Sequence, residues 1–138
     1  MATVTLLDDE DLSPEARAVF DDIRATRGSD FVNNFWRALA HEPALLAQVW
    51  GQVKATMAPG ALDALTKELV YVAVSTANAC PYCIHSHTAA ARAKGMTEAM
   101  HAELLAVIAL AARTNHLVTA LQVPVDPAFD AAAKEDDA

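Results

Sequence analysis

Proline and glycine cut this chain into pieces of helix length. Ser13-Pro14 opens one segment and Gly28 closes it. Pro43 precedes a second, which ends at Pro59-Gly60. Cys80-Pro81 opens a third, and Gly95 follows its end. Serine is a good helix cap, proline suits the first helical position, and glycine tolerates the left-handed residue that ends many helices. Between these marks the apolar residues recur at helical spacing, as in Ala16, Val19, Phe20 and Ile23. Alanine, the strongest helix former, fills 31 of the 138 positions, so the background favours helix throughout. The pattern predicts helices over 14–27, 34–40, 44–57, 62–78, 81–94, 98–113 and 115–121. Leu62, Leu65, Leu69, Val72 and Thr76 form one stripe of the fourth. Leu69 to Val74 and Leu104 to Ala112 are apolar nearly all round, which marks buried helices. Two such helices in so short a chain predict an all-α domain that covers apolar surface in a homo-oligomer.

The length suits one domain. The expected division is an acidic arm over 1–12, a helical domain over 13–124 and an acidic, mobile tail over 125–138. The longest wholly apolar run, Leu104 to Ala112, has nine residues. A membrane-spanning helix needs about 20, so no membrane partner is expected. The N-terminus is acidic and lacks a basic-then-apolar leader pattern, which makes the cytoplasm the expected location. The net charge is −8, but its place matters. Asp8 to Asp11 are four acids, and residues 126–138 carry five acids against Lys134. The body between them has nine acids and nine bases. A neutral body has no net positive field for phosphate backbones, so nucleic acid is not an expected partner.

The chemistry concentrates at residues 68–87. The chain has two cysteines, Cys80 and Cys83, too few for a disulfide-stapled secreted domain. Three residues apart in such a chain, they point to redox or metal chemistry. Cys80 occupies the cap position before Pro81. At about 100° per residue, Cys83 lies about 60° and His87 about 20° from Cys80, so the three share one helix face. His85 lies about 140° away. Cys83 falls near the third helical position, where unpaired N–H groups and the helix dipole stabilise a thiolate. His87 follows one turn later and can take the thiol proton or pair with the thiolate. Glu68 lies on the preceding helix. Antiparallel packing of the two helices would bring its carboxylate to His87, where it would orient the ring.

Glu, eleven residues, Cys-x-x-Cys, three residues, His: this pattern resembles the motif of the alkyl hydroperoxidase D-like proteins of the carboxymuconolactone decarboxylase family. The resemblance covers roughly Leu45 to Ala112. It implies an all-helical bundle assembled as trimers or hexamers. It also implies a peroxidase in which Cys83 reacts with the hydroperoxide, Cys80 resolves it, and His87 and Glu68 form the proton relay. The implied reductant is an external dithiol, such as a lipoyl group or a thioredoxin-like protein, and no bound organic cofactor is implied. In alkyl hydroperoxidase D proper a histidine precedes the second cysteine, whereas Tyr82 stands there in this chain. Tyr82 and His85 are candidates to line the site. The decarboxylase branch generally lacks the cysteine pair, which argues against lactone decarboxylation.

Other readings of the same residues stay open at this point. Cys80, Cys83 and His87 could supply three zinc ligands, with Glu68, water or another subunit as the fourth. The pair could serve a general thiol–disulfide oxidoreductase, or the chain could be an oligomeric scaffold without redox turnover. Trp36 and Trp50 read as packing residues.

Overall fold

The structure is a computed structural model, and it describes residues 1–129. Among these residues there are helices and turns but no strand. The helices in chain order are α1 (Pro14–Arg27), α2 (Asn34–Leu39), α3 (Pro43–Met57), α4 (Ala64–Ala77), α5 (Pro81–Ala93) and α6 (Glu98–Ala120), with short 3-10 turns at Asp9–Asp11 and Pro127–Phe129. The expected all-α class is the observed one. The sequence predicts one helical domain over 13–124. The helices gather into two compact units, one spanning Met1–Gly60 and one beginning at Ala61.

The first unit is built on α1, α2 and α3. Ser13 accepts a hydrogen bond from the Ala16 N–H at 3.1 Å, and Gly28 ends α1 at φ 62°. Ala16, Phe20 and Ile23 form the inner face of α1 and meet Val32, Trp36, Leu46 and Trp50 in one core. The two indoles meet edge to face with centroids 5.5 Å apart. The Arg27 guanidinium lies over both rings, 5.8 Å and 5.4 Å from their centroids. Trp50 donates its N–H to Asp22 at 2.7 Å. Hydrogen bonds from Lys54 and Trp50 hold the Asp22 carboxyl below its usual range. Both tryptophans are therefore packing residues.

Arginines pair with the acidic arm, whose Asp8, Glu10 and Asp11 remain exposed. Asp9 pairs with Arg24 at 2.7 Å and Asp8 with Arg37 at 3.0 Å. The Arg37 guanidinium also bonds the Leu7 carbonyl, Leu7 packs on the core, and Leu12 is buried within it.

The second unit holds α4, α5 and α6. Asp63 caps α4, accepting from the Thr66 N–H at 2.8 Å, and its hydrogen bonds hold its carboxyl below the usual range. Thr97 caps α6 through the Met100 N–H at 3.1 Å. The sequence suggested a break near Thr114 and Asn115, but α6 runs unbroken to Ala120. The Thr114 hydroxyl donates back to the Leu110 and Ala111 carbonyls, so this polar residue is satisfied inside the helix. The two apolar stretches are also less enclosed than their patterns implied. Val72 and Glu68 are buried, yet Val70 and Val74 of α4 are exposed, and α6 has no buried residue. No helix among the described residues is long and apolar enough to cross a membrane. Of the expected mobile tail over 125–138, residues 125–129 include the turn Pro127–Phe129, and 130–138 lie outside the described residues.

Candidate active site

The site is made by the turn that joins α4 to α5. The Ala79 N–H bonds the Thr76 carbonyl at 3.1 Å and the Cys80 N–H bonds the Ser75 carbonyl at 3.0 Å. These are the two bonds that close a helix through a left-handed residue. Ala79 takes that conformation, at φ 52°, in the place where glycine is usual. Cys80 thus ends α4 with its backbone and begins α5 with its side chain. Its sulfur accepts from the Cys83 N–H at 3.3 Å, and Pro81 occupies the first helical position. This double use places Cys80 beside Cys83. Their Cα atoms are 5.4 Å apart, their sulfurs lie at disulfide distance, and both residues are half-buried.

From this turn the two helices run back antiparallel. Glu68 and His87 meet about two turns below it. His87 Nδ1 lies 2.7 Å from Glu68 Oε2, so the expected Glu68–His87 contact is direct. The second carboxylate oxygen is also engaged: Lys94 Nζ donates to Glu68 Oε1 at 2.9 Å. The Glu68 side chain is 6% exposed, against 21% for His87 and 39% for Lys94. Burial alone would raise the Glu68 carboxyl. The hydrogen bonds and charges of His87 and Lys94 overcome that, and its pKa lies below the ordinary 4.5. Glu68 is therefore a buried anion and not a surface acid. Tyr71, one turn beyond Glu68 on α4, stacks on the His87 ring with centroids 3.5 Å apart and planes at 19°.

Two of these residues escaped the sequence reading. Tyr71 carried no signal beyond its place one turn after Glu68. Lys94 did carry one, because it follows His87 by seven residues and so continues the same helix face. Tyr82 is exposed in the first turn of α5, and His85 is exposed further along it. Among the described residues, no group of three or more His, Cys, Asp and Glu is placed to hold a metal ion.

A family model for the carboxymuconolactone decarboxylase family matches residues 43–126, from the start of α3 past the end of α6. The chain belongs to this family. The crystal structure of an alkylhydroperoxidase AhpD core from Rhodospirillum rubrum is similar over 94% of this chain and 97% of that one, with a TM-score of 0.91 and 70% identity. An uncharacterized protein of the cox locus of Paracoccus denitrificans is 43% identical over 56 residues, which are 41% of this chain and 50% of that protein. An uncharacterized Cupriavidus necator protein is 34% identical over 77 residues, 55% of this chain and 68% of that protein. The match thus spans about half the length of the Paracoccus relative. The matched span of this carboxymuconolactone decarboxylase family chain includes Glu68, Cys80, Cys83, His87 and Lys94.

Proposed function

We propose that this protein is a thiol-dependent peroxidase that reduces hydroperoxides through a Cys80–Cys83 disulfide cycle. The observation that carries this reading is the pair of sulfurs at disulfide distance on the same helix as His87, whose ring is bonded to the buried Glu68 carboxylate. In the reduced protein the Cys83 thiol would lose its proton to His87. Nδ1–H donation to Glu68 leaves the Nε2 lone pair of the neutral ring as the base. The thiolate attacks the terminal oxygen of the hydroperoxide. The O–O bond breaks, Cys83 becomes a sulfenic acid, and the leaving alkoxide takes the proton from His87 to give an alcohol. The Cys80 thiol then attacks the Cys83 sulfur, a disulfide forms and water leaves. An external dithiol, lipoyl or thioredoxin-like, returns both thiols and is itself oxidised to a disulfide.

A pair that must be re-reduced on each turnover suits a reducing compartment, so we place the protein in the cytoplasm. We also propose a trimer or hexamer. Leu105, Val107, Leu110 and Leu117 lie exposed on α6 and would be covered in such an assembly.

The test is to add one equivalent of an organic hydroperoxide to reduced, metal-free protein and to follow intact mass and free thiols within seconds. Loss of two hydrogens and both thiols, abolished by Cys83→Ser, supports the cycle. Thiols that survive many minutes of excess peroxide would sink it. Rapid exchange with small disulfides alongside inert behaviour toward peroxide would identify a general thiol–disulfide oxidoreductase instead.

A further inference from the structure

We propose that Lys94 is a positioning residue of the relay: its ammonium, fixed on the second oxygen of the Glu68 carboxylate, offsets the pull of that carboxylate for a second proton on the His87 ring. The inference takes its purpose from the peroxidase reading, but the charge arrangement can be tested without a peroxide.

The argument starts from the balance of charges. Glu68 is a buried anion whose two oxygens are divided between two partners, His87 at 2.7 Å and Lys94 at 2.9 Å. A buried carboxylate facing an imidazole alone would draw a second proton onto the ring, because an opposite charge favours the charged form. An imidazolium has no lone pair and cannot take the proton of Cys83. Lys94 alters that balance. With its ammonium on the carboxylate, the negative charge is already neutralised, and a second positive charge on His87 would face a like charge across the same group. The ring then keeps the carboxylate for orientation, through its Nδ1–H, without being protonated by it.

The position of Lys94 is built into the backbone. It is the last residue before the left-handed Gly95, at φ 101°. The Gly95 N–H bonds Arg92 at 3.0 Å and the Met96 N–H bonds Ala91 at 2.9 Å, and the Met96 side chain is buried behind them. The end of α5 is thereby fixed with Lys94 on the face that carries His87. Tyr71 from α4 stacks on the His87 ring and Lys94 from the end of α5 bonds the Glu68 carboxylate. On α6, which packs against α4, Glu98 engages Arg92 at 3.5 Å.

The experiment is an NMR titration of the His87 ring in the reduced, full-length protein and in Lys94→Met, Lys94→Gln and Lys94→Arg. Removing the charge should raise the His87 midpoint by on the order of one pH unit, a figure that allows for the partial exposure of Lys94. Lys94→Arg should leave the midpoint near that of the parent. An unchanged or lowered midpoint in Lys94→Met overturns the proposal, and so does an equal shift in Lys94→Arg, which would mean shape and not charge. Lys94→Gln carries the same test if Lys94→Met does not fold. Thiols inert to peroxide would refute the peroxidase reading and leave this titration standing, so the two failures are distinct.

Discussion

Replacing Glu68 with glutamine removes the buried charge at nearly constant shape, and its effect can be worked from the site. Glu68 accepts two hydrogen bonds, and its side chain is 6% exposed. A hydrogen bond to a charged group is worth about 1.5–3 kcal/mol and a neutral one about 0.5–1.5 kcal/mol, so the His87 bond weakens by roughly 1 kcal/mol in Glu68→Gln. The Lys94 pair is 39% exposed on the lysine side, so its loss is discounted to about 0.5–1 kcal/mol. The amide is easier to bury than the carboxylate, which returns part of that sum. The net destabilisation at pH 7 is about 1–2 kcal/mol.

The pH dependence supplies a stricter check. The folded-state pKa of Glu68 lies below its ordinary value of 4.5. A depressed carboxyl stabilises the fold fully above the unfolded value and loses that contribution as pH falls through the folded one. Urea unfolding of the parent and Glu68→Gln should therefore differ at neutral pH. The difference should shrink below 4.5 and reach its floor below the depressed folded value. A difference that persists unchanged to pH 3, or a glutamine variant more stable than the parent at neutral pH, would refute the reasoning. The same variant should slow peroxide-driven oxidation of Cys83 by about 10²-fold or more, the usual scale of a lost acid–base contribution.

Two further outcomes concern the scaffold. Ala79 holds a left-handed conformation at φ 52°, and Ala79→Gly should raise stability by up to about 1 kcal/mol in urea unfolding without changing the thiol chemistry. Leu46 is fully buried in the core of the first unit, and Leu46→Ala should cost about 2–5 kcal/mol, read from the midpoint of the same assay.

Much of this architecture was legible because its signals are local. Ser13, Gly28, Pro81 and Gly95 mark helix ends by their own chemistry, and the structure uses each of them so. The face shared by Cys80, Cys83 and His87 follows from helical spacing alone. Pairing Glu68 with His87 needed more: a helix packing that the spacing could only suggest, and which the family resemblance favoured. What stayed hidden depends on residues distant in sequence or on unusual backbone. Lys94 meets its carboxylate across 26 residues. Ala79 takes a conformation for which glycine would have been the signal. Thr114 and Asn115 looked like a break because polar residues favour helix ends. Nothing in the sequence said that the Thr114 hydroxyl would turn back onto its own helix. The ion pairs of Asp8 and Asp9 were hidden too, because Arg24 and Arg37 belong to helices that only tertiary packing brings to the arm.

The central claim is the division of labour between the two cysteines, and Cys80→Ser isolates it. Without a resolving thiol, a stoichiometric hydroperoxide should leave the oxidised sulfur stranded as a sulfenic acid. Dimedone trapping followed by peptide mass mapping should place that single oxygen on Cys83, formed about as fast as the disulfide forms in the parent. A Cys83 that stays a free thiol in this variant under the same peroxide would contradict the account.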